Sequence, residues 1–239
     1  MEKKNTLLLT VIAVATLLVA VVGATFAYFG SFTNTVTEGT NINVTTQPSK
    51  SSTFITSAAD ISLEVASADM VKGAGTNSVE VAKSENKTIS ATLTSEATDV
   101  FTICSFNVVY TATHNGEKVK QYVRTTALPE EAKEFTYMIG NATKDGAATG
   151  SVKSGTINGS TETDYANIDK EAAVTVITGA QVSAKGGATT ISFPVTVKFY
   201  NIPSIDQSDL ANSVFTGKFT VPADSISCTT NASDTVAGA

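Results

Sequence analysis

The chain has 239 residues, enough for one all-β domain, and 42% of them are hydrophobic, which supports a packed core and excludes global disorder. Only 16% are charged, against about 25% in typical soluble domains, because the polar residues are mainly Thr, Ser and Asn. The formal net charge is −6, and no basic run follows the N-terminus, so the electrostatic footprint of a nucleic-acid-binding protein is missing.

Residues 1–27 have the pattern of an export signal. Two lysines precede an apolar run at 7–22, and small side chains follow at alternate positions. Thr25 and Ala27 occupy the −3 and −1 positions that a signal peptidase reads, which predicts cleavage before Tyr28. The alternative is an uncleaved anchor at 7–29, which is long enough to span a bilayer. Both interpretations place the rest of the chain outside the membrane.

Residues 28–40 form an extension that begins with several aromatic side chains. Tyr28, Phe29 and Phe32 are either the interfacial end of the anchor or, with Val36, part of a free strand. A free strand can add to the sheet of a neighbouring copy through main-chain hydrogen bonds. Such a head-to-tail contact does not close on itself, so it makes filaments.

Strand patterns dominate residues 41–228 and predict one β-sandwich domain of about ten strands. The strongest alternation is at 191–199, where every odd position is apolar. Pro194 interrupts it and donates no hydrogen bond, which predicts an edge strand or a bulge. The other predicted strands are 60–65, 88–93, 104–110, 118–123, 135–139, 174–177 and 215–221.

The connections are predicted to be loops with little helix. Short helical turns are expected at 129–133, 164–172 and 207–211. The Gly-, Ala- and Ser-rich stretch 140–159 is expected to be a mobile excursion, and 229–239 a flexible tail.

Cys104 and Cys228 are the only cysteines. In an exported chain such a pair is first interpreted as a disulfide, and two free thiols are the alternative. A bridge would close a loop of 124 residues and tie a middle strand to the C-terminal segment.

Residues that carry catalysis are sparse. His114 is the single histidine and is predicted to lie in a hairpin turn, so neither a zinc site nor a Ser-His-Asp triad has its usual set of residues. No phosphate-binding glycine loop occurs, and no metal or cofactor is expected. Asp206 and Asp209 are interpreted as turn and cap residues, with calcium ligation as the alternative. The sequence therefore predicts a non-enzymatic protein.

Three stretches resemble the TasA/camelysin family of exported Gram-positive fibre proteins. Residues 23–29, Gly-Ala-Thr-Phe-Ala-Tyr-Phe, resemble the end of its signal peptide. Residues 86–93 and 106–110 resemble its early core strands. Residues 199–201, 206–207 and 215–219 resemble its closing strands.

The resemblance implies a jelly-roll fold and assembly of an extracellular fibre by donation of the N-terminal strand. The partners would be further copies of the chain, matrix or host surface components, and signal peptidase during export. The family's metallopeptidase designation is not carried over, because this sequence has no ligand set for it. The runner-up function is a membrane-anchored β-sandwich adhesin or ligand-binding module.

Overall fold

The computed structural model describes residues 33–35, 41–47, 50–70, 77–115, 132–161, 163–164 and 173–236. These residues form two antiparallel sheets that face each other, so the prediction of an all-β sandwich is confirmed. The strands are β1 (Thr33–Thr35), β2 (Asn41–Gln47), β3 (Lys50–Ser57), β4 (Ala59–Val65), β5 (Val79–Lys83), β6 (Lys87–Ser95), β7 (Phe101–Asn115), β8 (Phe135–Ile139), β9 (Thr143–Asp145), β10 (Val152–Lys153), β11 (Thr156–Ile157), β12 (Thr163–Asp164), β13 (Ala173–Ala184), β14 (Gly187–Asn201), β15 (Ser213–Thr220) and β16 (Ser227–Asn231).

Sheet A is built around β14, and its strand order is β1-β2-β3-β6-β14-β8-β12. β14 also pairs with β5 and β9, so it has two partners along each edge. Sheet B has the order β10-β13-β7-β15-β4, with β11 on β13 and β16 on β7. From β6 onward the long strands β6, β7, β8, β13, β14 and β15 alternate between the two sheets.

The core lies between the two sheets, as strand alternation requires. In β14 every odd residue from Ile191 to Phe199 is fully buried, which confirms the predicted inward face. Aromatic rings meet across the interface: the centroids of Phe54 and Phe106 lie 5.6 Å apart, and those of Phe199 and Phe215 lie 5.2 Å apart. These contacts fix the two sheets against each other.

The prediction that Pro194 marks an edge or a bulge is wrong. Pro194 lies inside the central strand β14, opposite Thr88 of β6, in a register that is continuous from Gly187 to Val195. On the other edge β14 changes its partner from β9 to β8, and the missing N–H falls at this change. Gly140 donates its N–H to the Pro194 carbonyl at 2.8 Å, and a Cβ on Gly140 would lie 2.6 Å from the proline Cγ.

Several connections are more regular than the sequence indicates. Residues 140–159 contain β9, β10 and β11, which pair with strands of both sheets, so the expected mobile excursion is corrected to a paired one. The segment from Thr229 also differs from expectation: it continues β16 to Asn231, and Val236 is buried. His114 belongs to β7, opposite Phe215, and not to a turn.

The helical content of the described residues is three 3-10 turns, Ser67–Asp69, Ser208–Leu210 and Ala223–Ser225. The second matches the turn predicted at 207–211, whereas most residues of the other two predicted turns lie outside the described part of the chain. In that described part no helix is long and apolar enough to cross a membrane. The apolar run at 7–29 and the predicted return strand at 118–123 lie outside it.

Candidate assembly surfaces

Most residues predicted to act in export and assembly lie outside the part of the chain that the structure describes. This holds for Thr25, Ala27 and Tyr28 at the expected cleavage site and for Phe29, Phe32 and Val36 of the expected donor strand. Those expectations remain predictions. The backbone of Thr33–Thr35, within the same stretch, is described as β1.

β1 is the outermost strand of sheet A. It pairs with β2 through three residue pairs, from Thr33 with Asn43 to Thr35 with Asn41. β2 in turn pairs with β3 over most of its length. The N-terminal segment is therefore joined to the sandwich by a short ladder at a sheet margin, where a strand exchanges at little cost.

The predicted disulfide between Cys104 and Cys228 is present. The two cysteines are directly opposite in the β7–β16 ladder, with their Cα atoms 4.1 Å apart. Cys104 lies on the inward face of β7 and is fully buried, whereas β16 buries only Cys228 and exposes its other four residues. The bond fastens a strand that has little apolar surface to hold it.

β4 is the last strand of sheet B, at the end of the strand order opposite β10. Among the strands that the structure describes it pairs only with β15, from Ala59 opposite Phe219 to Val65 opposite Ser213. Ala58 alone separates it from β3, so one bent chain serves sheet A as β3 and sheet B as β4. Corners of this kind let a single strand pass between two packed sheets.

The backbone direction of β4 follows from one hydrogen bond. The Val65 carbonyl accepts the N–H of Asn212, the residue before β15, at 2.8 Å, so the polar groups of Val65 point toward β15. Successive residues of a strand present these groups to alternate sides. The N–H and C=O groups of Asp60, Ser62 and Glu64 therefore point away from β15.

A groove of about 660 Å³ is lined by residues of β4, of β15 and of the β5–β6 region. β4 residues 60–64 form one wall, and the end of β5 and the turn into β6 contribute Lys83, Glu85 and Lys87. Residues 216–218 of β15 complete the lining. The groove thus lies where an edge of sheet B passes close to β5 of sheet A.

The charges in the groove are balanced. The lining contains three basic side chains, Lys83, Lys87 and Lys218, and three acidic ones, Asp60, Glu64 and Glu85. Lys87 Nζ lies 2.9 Å from Glu85 Oε2, and Lys218 Nζ lies 3.9 Å from Asp60 Oδ1. The hydrogen bond from Lys87, and then its positive charge, lower the pKa of the Glu85 carboxyl below its ordinary value.

The outer face of sheet A is a second distinctive surface. Cross-strand neighbours on β3, β6, β14 and β9 align hydroxyl side chains in rows, such as Ser57–Ser90–Ser192–Thr143. The Thr92 and Thr190 hydroxyl oxygens lie 2.8 Å apart, as do those of Ser57 and Ser90. These bonds hold the hydroxyls of neighbouring strands in fixed positions on a mostly uncharged face.

One buried acid was not anticipated from the sequence. Glu134, just before β8, is completely buried and accepts a hydrogen bond from Gln207 Nε2 at 2.7 Å. The same amide nitrogen donates to the Tyr200 carbonyl, and Gln207 Oε1 accepts from Ile202 N at 2.6 Å. The arrangement ties the loop after β14 to the start of β8. Charged residues usually lie at the surface, so nothing in the sequence indicated that Glu134 is buried and holds this loop.

The carboxylates of this loop act in local turns. Asp206 Oδ1 accepts hydrogen bonds from the N–H and the hydroxyl of Ser208, at 3.1 and 2.7 Å. Asp209 lies in the 3-10 turn that follows. Within the described ranges, no three His, Cys, Asp or Glu side chains are close enough to hold a metal ion together.

Comparisons with known proteins give no match to this chain among family models, curated proteins or solved structures.

Proposed function

We propose that this chain is an extracellular structural subunit that assembles head to tail with copies of itself. The N-terminal segment 28–36 leaves its own subunit and adds as a strand to a sheet of the next one. Export precedes assembly, and cleavage before Tyr28 frees the segment. The role is structural and not catalytic, and the resulting fibre belongs to a cell surface or an extracellular matrix.

The position of β1 carries this proposal. The described part of the segment, Thr33–Thr35, forms the outermost strand of sheet A and has one partner, β2. A strand held by three residue pairs loses few hydrogen bonds when it leaves, and it regains them on a neighbouring sheet. The number of hydrogen bonds therefore changes little when the strand moves to a neighbouring subunit. The aromatic side chains at 28, 29 and 32 add the burial of apolar surface.

Two further features support an exported subunit. A disulfide between buried cysteines is typical of proteins that fold in an oxidising compartment. The alternation of the long strands between the two sheets favours a jelly roll, in which crossing connections link two packed sheets. The family resemblance of residues 23–29 points to the same class.

The test compares mature protein, beginning at Tyr28, with a variant that lacks residues 28–36. Mature protein is expected to form filaments visible by negative-stain electron microscopy, and the shortened protein to stay monomeric in sedimentation. Equal thermal unfolding midpoints would show that the sandwich is intact. Filaments that form equally well without residues 28–36 would contradict the proposal.

A matched pair of variants distinguishes a strand from a merely adhesive segment. Phe32 shares a face with Tyr28 and Val36 in an extended strand, whereas Ser31 lies on the opposite face. Phe32→Asp is expected to abolish filaments, because it places a charge on the apolar face. Ser31→Asp adds the same charge one residue away and is expected to retain them.

A second candidate is a surface-displayed ligand-binding module held by an uncleaved anchor at 7–29. The rows of hydroxyls on the outer face of sheet A favour it, since fixed hydroxyls suit a hydroxyl-rich ligand such as a glycan. Thr92→Arg would then abolish binding of insoluble polysaccharide, whereas Thr216→Arg on sheet B would not. Equal binding by both variants would reject this candidate.

A further inference from the structure

We infer that Asn158 is a modification site, at which the side-chain amide is lost by deamidation in the folded protein, and that the isoaspartate formed there loosens the fold locally. Asn158 directly follows β11 of sheet B and precedes β12 of sheet A, so it lies where the chain crosses between the sheets. The inference goes beyond the proposed function and does not depend on whether copies of the chain assemble.

Asn158 is followed by a glycine that the fold requires. Gly159 has a φ of +114°, a backbone conformation that side-chain-bearing residues rarely adopt. A Cβ at this position would lie 2.4 Å from Tyr137 Cε2, so the ring leaves no room for another residue. Because glycine has no side chain to shield its own nitrogen, the same requirement leaves the Gly159 nitrogen open to reaction with the asparagine before it.

The reaction forms a succinimide and then opens it. Hydroxide removes the proton of the Gly159 N–H, the nitrogen attacks Asn158 Cγ, and the Cγ–Nδ2 bond breaks as Nδ2 leaves with a proton from water as ammonia. Water then adds to one of the two ring carbonyls. Addition at Cγ gives aspartate, whereas addition at the main-chain carbonyl gives isoaspartate, in which the backbone runs through Cβ and Cγ.

The Asn158 side chain is accessible to this reaction. It is exposed, so hydroxide and water reach it. Its Nδ2 donates to the Thr175 carbonyl at 3.3 Å, beyond the usual range for such a bond, so the amide is held weakly and turns easily toward the Gly159 nitrogen. The main chain is held more firmly, because the Asn158 N–H donates to the Val176 carbonyl at 2.8 Å.

The product changes the contacts of this crossing. A carboxylate cannot donate to the Thr175 carbonyl as the amide does. Isoaspartate also adds a methylene to the main chain before Gly159, whose carbonyl accepts the Ile139 N–H at 2.9 Å and whose Cα lies against the Tyr137 ring. The longer backbone displaces Gly159 and weakens its bond to β8.

The experiment incubates folded mature protein at mildly alkaline pH and maps its peptides by mass spectrometry. The Asn158 peptide is expected to gain the mass difference between OH and NH2 and to separate into aspartate and isoaspartate forms. Asn141 and Asn231 are exposed and each precedes an alanine, so they are internal controls and are expected to keep their amides over the same period. Asn158→Gln is expected to remain unmodified, because its longer side chain would have to close a larger ring.

Two results would overturn the assignment of the site. One is modification of Asn158 no faster than that of Asn141 and Asn231, and the other is modification only after the protein has been unfolded in urea. Asn115 also precedes a glycine, but Gly116 lies outside the described residues, and peptide mapping separates this position from Asn158.

Hydrogen exchange at the Ile139 amide tests the structural consequence. Exchange is expected to be faster in the incubated protein than in Asn158→Asp, which carries the new charge without the longer backbone. Equal exchange rates in the two proteins would overturn the claim that isoaspartate loosens the crossing, whether or not Asn158 is modified.

Discussion

β16 and β4 are both margins of sheet B, and they are held in different ways. β4 buries Ala59, Ile61, Leu63 and Val65, and each large side chain contributes roughly 1.5–3 kcal/mol on burial. β16 buries one side chain, Cys228, and is bonded through it to β7. β4 is held by the apolar side chains on its inward face, whereas β16 has too few of them and is held by the disulfide.

The difference also decides how each margin responds to substitution. β4 is held by its core contacts, and the backbone groups of its exposed residues point away from β15. β16 is fixed to one neighbour by its disulfide. The following variants test the two margins and the groove next to β4.

Removal of the disulfide is expected to have the largest effect. Cys104→Ala with Cys228→Ala opens a loop closed over 124 residues and lowers the free energy of unfolding by about 4 kcal/mol in the chain-entropy account. Urea denaturation measures the loss. Hydrogen exchange of the double variant is expected to be faster throughout β16 and unchanged in β4; equal acceleration in both strands would mean that the bond stabilises the domain as a whole.

Leu63→Ala tests the other margin. Leu63 is 3% exposed, and its truncation leaves a cavity between the sheets that costs about 3 kcal/mol of unfolding free energy. Ser62→Ala, next to it on the exposed face, is the control and is expected to change stability by less than about 0.5 kcal/mol. Equal losses for the two variants would show that β4 is not held by its inward face.

Asn107→Ala is expected to have a smaller effect, confined to the β16 side. The Asn107 side-chain oxygen accepts the N–H of Gly179 at 2.9 Å, where the β13–β7 register shifts. Its own N–H donates to Ser225 Oγ at 3.2 Å, in the gap between β15 and β16. Losing the side chain leaves the Gly179 N–H half-buried without its acceptor, which costs about 1 kcal/mol.

Denaturation by urea measures this loss, and Asn107→Asp is the control, because a carboxylate keeps the acceptor for Gly179. If Asn107→Ala is as stable as the wild type, water replaces Asn107 as the acceptor for the Gly179 N–H.

The smallest effect is expected from pH at the groove. The pKa of the Glu85 carboxyl is lowered by the hydrogen bond from Lys87, so this pair contributes stability above the unfolded-state pKa and loses it as the pH falls through the folded-state value. Both side chains are well exposed, so the unfolding midpoint of Lys87→Met at neutral pH is expected to equal that of the wild type.

The carboxyl resonance of Glu85 reports the pair directly. In an NMR titration it is expected to shift at higher pH in Lys87→Met than in the wild type. An unchanged titration would mean that the contact is not formed in solution.

The sequence alone identifies the strands in which apolar and polar residues alternate over many positions. The alternation at 191–199 predicts β14 and its buried face, and the cysteine pair predicts the disulfide. Alternation defines faces and not partners, so the central position of Pro194 could not be read from it. β9, β10 and β11 have two or three residues each, too few to show a period.

The groove next to β4 could not be predicted from the sequence for the same reason. The pattern at 60–65 predicts a strand, but nothing in it shows that Lys83, Glu85 and Lys87 lie close to this strand. Those three residues are far from β15 in sequence and meet it only through the fold. Pairing depends on the whole topology, and a local pattern does not contain it.

The single residue between β3 and β4 has a mechanical consequence. In the proposed fibre, tension applied through the N-terminal segment of a subunit would reach β2 and β3 of sheet A first and would then pass through Ala58 into β4 of sheet B. The covalent path therefore crosses from one sheet to the other at Ala58. The remainder of the sandwich, including the disulfide, would stand beside this path and carry little load.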